Sequence, residues 1–258
     1  MKSFFADLHI HTALSPCGGE EMTPPAIVQA ATDRGLGLIA ICDHNSAGNV
    51  AAVQLAAARI RRSRREIDLT VIAGLEVTTR EEVHVVALMP GAEAAAAVSA
   101  VVQATLPEAD EAARERFGEQ RLLDAAGVQI GREPRLLAAA STLDLGDVVS
   151  LVHAHGGMAI AAHVNRPSFS VLSQLGLFPR EAGFDAVEVF IPCGSPEADK
   201  GSLLGRFAAL GLPLICSSDA HYPGDIGRCR TVFELQAPTF EELTSAIRGE
   251  GGRSIRCA

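Results

Sequence analysis

Residues 4–11 read Phe4-Phe5-Ala6-Asp7-Leu8-His9-Ile10-His11. The apolar run Phe4–Leu8 is strand-like, and two histidines follow it at positions i and i+2. On a strand such residues face the same side, so both imidazoles can reach one ion. The arrangement recurs along the chain. Leu36–Cys42 is a second strand-like run, followed by Asp43-His44, and Leu69–Ala73 a third, followed by Glu76. His84 lies in Val83–Met89, and His163 follows Met158–Ala162. Asp219 and His221 follow Leu214–Ser217, again with i, i+2 spacing. Ala186–Ile191 and Thr231–Leu235 are further strand-like runs.

Ala/Leu-rich helical patterns separate these runs. Pro24–Arg34 has Thr23 as N-cap and proline in its first turn. Asn49–Arg65, Asp147–His155, Leu203–Leu210 and Phe240–Arg248 are the others. Repeated βα units with apolar strands predict an α/β fold, a mostly parallel sheet covered by helices. About eight strands favour a closed or distorted barrel over an open sheet. The segment from Gly91 to about Leu145 breaks the rhythm. It is rich in Ala, Glu and Arg and shows no convincing strand, so it is expected to be a helical insertion (91–145) in one domain spanning 1–258. It would serve as a solvated cover or a substrate lid.

The 48% hydrophobic content suffices for a substantial core, and the net charge of −9 disfavours an extended nucleic-acid-binding surface. No Trp and a single Tyr argue against stacking on large aromatics, although ten Phe remain. Cysteines at 17, 42, 193, 216, 229 and 257 form no CxxC pair. A disulfide framework is therefore not expected, and a reducing cytosol is the simpler setting. The N-terminal run is too short and polar for a signal peptide, and no apolar stretch reaches a membrane span, so the expectation is a cytoplasmic protein without membrane contact.

Six histidines, two aspartates and one glutamate thus sit in or just beyond six strands. In a barrel the C-terminal strand ends converge at one mouth. Any one of these residues alone would be a turn, cap or core residue. Together they would be strongly unfavourable to bury without cations, and they are too many for one ion. Two or three divalent ions, Mn²⁺, Zn²⁺ or Fe²⁺, would account for them. His153 and His155 belong to a helix end, where histidine is ordinary. Arg61-Arg62 and Arg64-Arg65 likewise offset a helix dipole rather than marking a nucleic-acid patch.

The motifs Asp7-Leu-His-Ile-His11, Cys42-Asp-His44, Gly74-Leu-Glu-Val77 with His84 eight residues after Glu76, Ala161-Ala-His163 and Ser218-Asp-Ala-His221 resemble, in order, those of the PHP (polymerase and histidinol phosphatase) superfamily. The resemblance runs from residue 7 to about 230. It implies a distorted (β/α)7 TIM-like barrel with a di- or trinuclear metal site. By position, His9, His11, Glu76 and Asp219 would hold one ion, and Glu76 would bridge to a second with His84 and His163. His44 and His221 would hold the third. Asp43 would orient a ligand or relay a proton. The sequence departs from the family seven or eight residues after His9, where a His or Asp is usual and Pro16 and Cys17 stand here. Cys17 is a candidate thiolate ligand; Glu20 or Glu21 are alternatives. Cys193 could line the mouth or be a buried thiol.

The resemblance implies a hydrolase acting on phosphate esters: a small phosphomonoester, a nucleotide or a short oligonucleotide. Cations would activate water and neutralise charge as the P–O bond breaks. Asp219, Asp43 or an uncommitted histidine would supply the leaving-group proton. Arg166, three residues after His163, and Arg228, seven after His221, are candidates to grip phosphate oxygens. The insert between the His84 and His163 units resembles that of nucleotide-cleaving relatives. Two alternatives are a C–N hydrolase of the amidohydrolase type, for which no bridging lysine is available, and a non-catalytic, metal-stabilised PHP module.

Overall fold

The computed structural model describes residues 1–63, 68–191 and 195–258, so Arg64, Arg65 and Cys193 lie outside the described residues. The first βα units follow the apolar pattern closely: β1 (Lys2–Ile10), α1 (Pro24–Asp33), β2 (Leu38–Ile41), α2 (Val50–Ser63) and β3 (Thr70–Thr78). Then come β4 (His84–Met89), α3 (Ala92–Gln103), α4 (Glu111–Phe117), β5 (Arg121–Leu123) and β6 (Gln129–Arg132). The second half runs α5 (Leu145–Ala154), β7 (Met158–Ala161), α6 (Val171–Leu175), β8 (Ala186–Glu188), α7 (Glu197–Ala208), β9 (Leu214–Ile215), β10 (Thr231–Leu235), α8 (Phe240–Ile247) and β11 (Ser254–Cys257).

Among the described residues nine strands form one sheet in the order β11-β10-β1-β2-β3-β4-β7-β8-β9. The sheet curls into a nearly closed barrel, and β9 packs beside β11 where its edges meet. It is mixed rather than mostly parallel. β1–β2–β3 and β7–β8–β9 pair parallel, while β4 pairs antiparallel with both β3 and β7. The cause is local: Thr79–Val83 closes a tight turn, with Val83 O accepting from Thr79 N at 2.9 Å and Glu82 at φ 58°. That turn is too short for a helical crossover, so the next strand must return. β10 and β11 add a second antiparallel edge.

Strand alternation sorts side chains into two layers. Leu8, Leu38, Ala40, Ile72, Val86, Leu88, Ile160, Ala186 and Ile215 fill the barrel interior, closed at one end by Leu243 and Ile247 of α8. Ile10, Ile39, Ile41, Ala73, Leu75 and Val85 face the helical coat. Within β1 the register slips: Asp7 pairs with Ile39 but Ile10 with Ile41. One extra residue, a β-bulge, therefore separates them. Leu8 faces in, yet Ile10 faces out. Without the bulge His9 and His11 would point at the coat; with it they take the interior side.

The 91–145 segment is not wholly helical. Beside α3 and α4 it contains the antiparallel hairpin β5–β6. Its turn is set by Asp124, whose Oδ1 accepts from Ala126 N and Val128 N, and by Gly127 at φ 82°. Strands of three and four residues give too little alternation to read. The segment has a small apolar cluster, Leu106 and Leu137 against Leu14 of the loop after β1. Two buried asparagines tie it to the barrel. Asn45 Nδ2 donates to Leu137 O and Ala139 O, while its Oδ1 accepts from Thr78 N. Asn49 Nδ2 donates to Thr12 Oγ1 and Arg121 O, while its Oδ1 accepts from Leu123 N.

The cysteine reading needs one correction. Cys216 and Cys257 are disulfide-bonded, with Cα atoms 5.4 Å apart. The bond bridges the seam between β9 and β11, an apposition made by the closing of the sheet and invisible in cysteine spacing. Cys17, Cys42 and Cys229 are free. Among the described residues no helix is long and apolar enough to cross a membrane.

Asn49→Ala would strand the Leu123 N–H and Arg121 carbonyl in a buried setting. We expect a stability loss of about 1–3 kcal/mol. Because the lost bonds are local, limited proteolysis should cut first within residues 104–135. An unchanged denaturation midpoint with an uncut insert would contradict this account of its anchoring.

Candidate metal centre

Glu76 shares the interior side of β3 with Ile72, so strand alternation delivers its carboxylate to the barrel mouth. It is fully buried, and imidazoles crowd around it. Its Oε1 lies 2.8 Å from His84 Nδ1, 3.1 Å from His163 Nε2 and 3.4 Å from His9 Nε2. Its Oε2 lies 2.9 Å from His44 Nδ1 and 3.5 Å from His11 Nε2. Asp219 Oδ1 approaches His11 Nε2 at 2.9 Å and His9 Nε2 at 3.5 Å, with His221 Nδ1 at 3.7 Å. The sequence-predicted residues His9, His11, His44, Glu76, His84, His163, Asp219 and His221 therefore meet in one cluster. His84 belongs there because β4 runs antiparallel, which brings its first residue to the mouth. His153 stands apart, paired with Asp185.

In three of the histidines the second ring nitrogen is held, whereas the buried His163 Nδ1 finds no hydrogen-bond partner among the described residues. His9 Nδ1 donates to Glu188 Oε2 at 3.0 Å. His11 Nδ1 donates to Ser15 Oγ at 2.9 Å, and Ser15 Oγ donates to Asp43 Oδ1 at 2.7 Å. His221 Nδ1 donates to the Asp219 carbonyl at 2.8 Å. In each case the donor role fixes the tautomer and leaves Nε2 a lone pair for a cation. Asp43 does not reach the cluster. It has the parity of Ile39 and Ile41 and faces outward, where Thr12 N, Thr12 Oγ1 and Ser15 Oγ donate to it. Its contact with the chemistry runs through Ser15 and His11. Asp7, also outward, accepts from Ser218 N, Ser218 Oγ and Gly227 N, and burial pushes its carboxyl up to about 6.

Glu188 was missed in sequence. It ends β8 on the interior side and accepts from both His9 Nδ1 and the His163 backbone N–H. The available signal was an acidic residue at alternate spacing in the apolar run Ala186–Ile191. His163 and Asp219 have left-handed backbones, φ 25° and 50°. Few side chains adopt this region, and such strain persists where neighbours over-determine it. At His163 the turn reverses the strand parity and brings the ring into the mouth.

Arg166 Nη1 lies 2.5 Å from Asp219 Oδ2, with the guanidinium 4.4 Å from the Phe190 ring centre. Arg228 is exposed and paired with Asp225 at 2.7 Å. Both line a cleft of about 280 Å³ with Phe190 and Asp219. Arg166 and Asp219 also line a central pocket of about 180 Å³ containing Glu76, His84 and His163. That pocket shares His44, His84 and Phe169 with an apolar cavity of about 470 Å³, to which Phe117 and Leu137 of the insert contribute. Phe169 stacks on His84, ring centres 4.7 Å apart. The mouth is thus a trough with Arg166 and Arg228 beside Phe190 at one end, an imidazole–carboxylate centre, and a mostly apolar wall of Phe117, Leu137 and Phe169 with Arg116 at the other.

Electrostatics favour anionic carboxylates at the centre. Burial opposes ionisation of Glu76, but His84, His9 and His44 hold it well below its usual range. Asp219 is likewise held low by His9 and His11 against burial. Burial would lower His9, yet Glu188, Glu76 and Asp219 hold it well above an ordinary histidine. His11 is pushed down, first by burial and then by His221. A cation binding here must displace protons from the high-pKa imidazoles. Burial opposes ionisation of the Cys17 thiol, but hydrogen bonds with His221 and His44 bring it down to about 6.

The residues fit metal ions. Glu76 Oε2 and His84 Nδ1 are buried without an aligned hydrogen-bond partner, although each has an oppositely charged or polar atom within 3 Å. Opposed donor atoms at close range but poor hydrogen-bond angles suit an ion between them. Among the described residues three sets of donor atoms lie within 4.8 Å of one another: His9, His11, Glu76 and Asp219; His44, Glu76 and His84; and His11, His44 and His221. The first matches the expected set. The second pairs His84 with His44 rather than with His163.

Strand ends that converge on imidazoles and carboxylates define an α/β barrel with a candidate metal centre at its mouth. The PHP domain profile matches residues 7–175 and a PHP-associated profile residues 206–250. The chain belongs to the PHP family. It is 26% identical to the uncharacterized protein YqxK of Bacillus subtilis, covering 99% of this chain and 64% of that one. It is 24% identical to a 5′-3′ exoribonuclease of Haemophilus influenzae, covering 92% and 98%. Among solved structures it is similar to the lesion-specific endonuclease Q of Pyrococcus furiosus (TM-score 0.64, 19% identity), covering 98% of this chain and 58% of that one. An endonuclease Q has also been solved with a 27-mer duplex carrying an abasic lesion (TM-score 0.63, 21% identity), covering 98% and 58%. An amidohydrolase of Chromobacterium violaceum gives a TM-score of 0.58 at 23% identity, covering 86% and 89%. The chain thus spans under two thirds of YqxK and of endonuclease Q.

Glu188→Gln keeps the shape but removes the charge that orients His9. Replacing such an outer partner typically costs roughly 10–100-fold in metal affinity. Metal titration of the purified variant should show that weakening with the fold intact. Wild-type affinity would demote Glu188 to a packing residue.

Proposed function

We propose that this chain is a metal-dependent phosphoesterase that hydrolyses a nucleotide or short oligonucleotide. The observation that carries this reading is the trough: Arg166 and Arg228 at one end, the buried imidazole–carboxylate cluster in the middle, and Phe117 and Phe169, with Arg116, at the other. His9, His11, Glu76 and Asp219 would hold one divalent ion. Glu76 with His44, His84 and His163 would hold a second, and His11, His44 and His221 a third. Mn²⁺, Zn²⁺ and Fe²⁺ suit such nitrogen and oxygen donors. When bound, the ions supply Lewis acidity to phosphoryl oxygens and lower the pKa of water.

The chain's own residues do the rest. Glu188 and the Ser15–Asp43 pair position His9 and His11. Asp219 is engaged by two imidazoles and Arg166, so it acts as an anionic anchor rather than a proton donor. Arg166, stacked on Phe190, can turn its planar guanidinium from Asp219 to a phosphate and offer two parallel hydrogen bonds. Arg228 backs the same cleft. Phe117 and Phe169 offer an apolar wall on which a base could lie. The likeness to an exoribonuclease over nearly its whole length supports a nucleotide substrate. The duplex held by endonuclease Q weighs against the expectation, drawn from net charge, that no extended nucleic acid binds.

C–N hydrolysis is the second reading, favoured by the amidohydrolase neighbour. Against it, the chain's two lysines are Lys2, at the start of β1, and Lys200, in α7 and paired with Glu197. Neither can bridge ions at the mouth.

The test is hydrolysis of phosphomonoesters, nucleoside bisphosphates, 5′-phosphorylated oligonucleotides and amide substrates, with Mn²⁺, Zn²⁺ or Fe²⁺ and with chelator. Metal-dependent release from nucleotides, lost in Glu76→Ala, is expected. Arg166→Ala should lower kcat/KM roughly ten- to a hundredfold, from about 1.5–3 kcal/mol for a charged hydrogen bond, without changing metal content. Amide hydrolysis with inert phosphate esters would overturn the proposal.

A further inference from the structure

Past the end of β7 the chain stays joined to the strand beside it. β7 and β8 pair in parallel, Ile160 with Ala186 and Ala161 with Val187. Beyond β7, Val164 N donates to Glu188 O at 2.9 Å. The next rung is made by a side chain. Asn165 Nδ2 donates to Phe190 O at 2.7 Å, and Asn165 Oδ1 accepts from Phe190 N at 2.8 Å. An amide carries a donor and an acceptor side by side, so it can satisfy both backbone groups of one residue as a neighbouring strand would. β8 ends at Glu188, two residues short of Phe190. Asn165 therefore stands in for a strand that has stopped.

The consequence falls on Phe190 and Arg166. The half-buried Phe190 ring lies 4.4 Å from the Arg166 guanidinium, whose Nη1 reaches Asp219 Oδ2. The Arg166 backbone is fixed as well: its N–H donates to His163 O, and its carbonyl accepts from Ser170 Oγ, each at 2.8 Å. With the backbone held, what remains to be placed is a long, flexible side chain, and an aromatic face beneath it confines the guanidinium. Phe190 and Arg166 line the cleft beside Asp219. Asn165 lines neither that cleft nor the central pocket, so it acts through its neighbours.

We propose that Asn165 is a positioning residue for phosphate binding: it holds Phe190 as the platform that keeps the Arg166 guanidinium at the edge of the metal mouth. A group already in place gives up less freedom when the anion arrives. The inference rests on the reading of Arg166 as the phosphate grip given above. It adds that the grip is pre-organised by a side-chain-to-backbone pair one residue away, on the far side of the ring's own backbone.

The test uses the full chain loaded with Mn²⁺ and titrated calorimetrically with inorganic phosphate. The variants are Asn165→Ala, Arg166→Ala and the two combined. Asn165→Ala should weaken phosphate on the order of two- to fivefold, the range of a cation–π contact at an exposed site, with metal content unchanged. In the Arg166→Ala background it should cost nothing further, because its effect passes through Arg166. A residue that merely supports the fold would cost the same in both backgrounds. Phe190→Leu leaves the Asn165 pair in place and removes only the ring. It should give the same loss and the same dependence on Arg166, and it decides the matter if Asn165→Ala does not fold. Wild-type phosphate affinity in both single variants, an equal loss with and without Arg166, or loss of metal from Asn165→Ala would overturn the inference and leave the phosphate grip standing. Wild-type affinity in Arg166→Ala would overturn both.

Discussion

The structure depends on the burial of one carboxylate. Glu76 sits at the centre of the barrel mouth with no access to water, and a buried anion without compensation would cost several kcal/mol. Its compensation comes from five imidazoles on β1, β2, β4 and β7 or the loops that follow them. No single βα unit can provide that set, so the site exists only when the sheet has curled. The same constraint explains the antiparallel β4. His84 can reach Glu76 only because the tight turn after β3 returns the chain at once and makes the first residue of β4 a mouth residue.

Around that centre three of the imidazoles are backed by partners that fix their rings. Glu188 serves His9, the Ser15–Asp43 pair serves His11, and the Asp219 carbonyl serves His221. These partners decide which nitrogen faces the cluster, and hence whether it offers a lone pair or a proton. The insert is part of this order rather than an ornament. Asn45 and Asn49, just beyond β2, bind its backbone, and its Phe117 and Leu137 wall the apolar end of the trough. The wall of that cavity and the position of the loop after β1 are thus tied to the same segment.

Most of the barrel was legible because its strands are apolar runs that end in histidine or acid. The cluster was legible because those residues recur at strand ends. Four things were not. In sequence Asp43 is both an orienting residue and a candidate proton donor among the mouth residues, but its parity matches Ile39 and Ile41, and it touches the cluster only through Ser15 and His11. Glu188 escaped because it is a lone acid in an apolar run, although its parity with Ala186 was there to be read. The β1 bulge has no local signature at all. It is known only from the pairing of Asp7 with Ile39 and Ile10 with Ile41, and without it His9 and His11 would face the helices. The Cys216–Cys257 bond escaped for a similar reason, since only the closing of the sheet brings β9 to β11.

The central claim is that Glu76 divides a multinuclear metal centre between its two oxygens. Anomalous difference diffraction from crystals grown with Zn²⁺, recorded on both sides of the metal absorption edge, tests it most directly. The account predicts at least two separate anomalous peaks. One should lie within ligand distance of Glu76, His9, His11 and Asp219, and another on the side of Glu76 that faces His44. A single peak, or peaks that leave Glu76 uncoordinated, would contradict it.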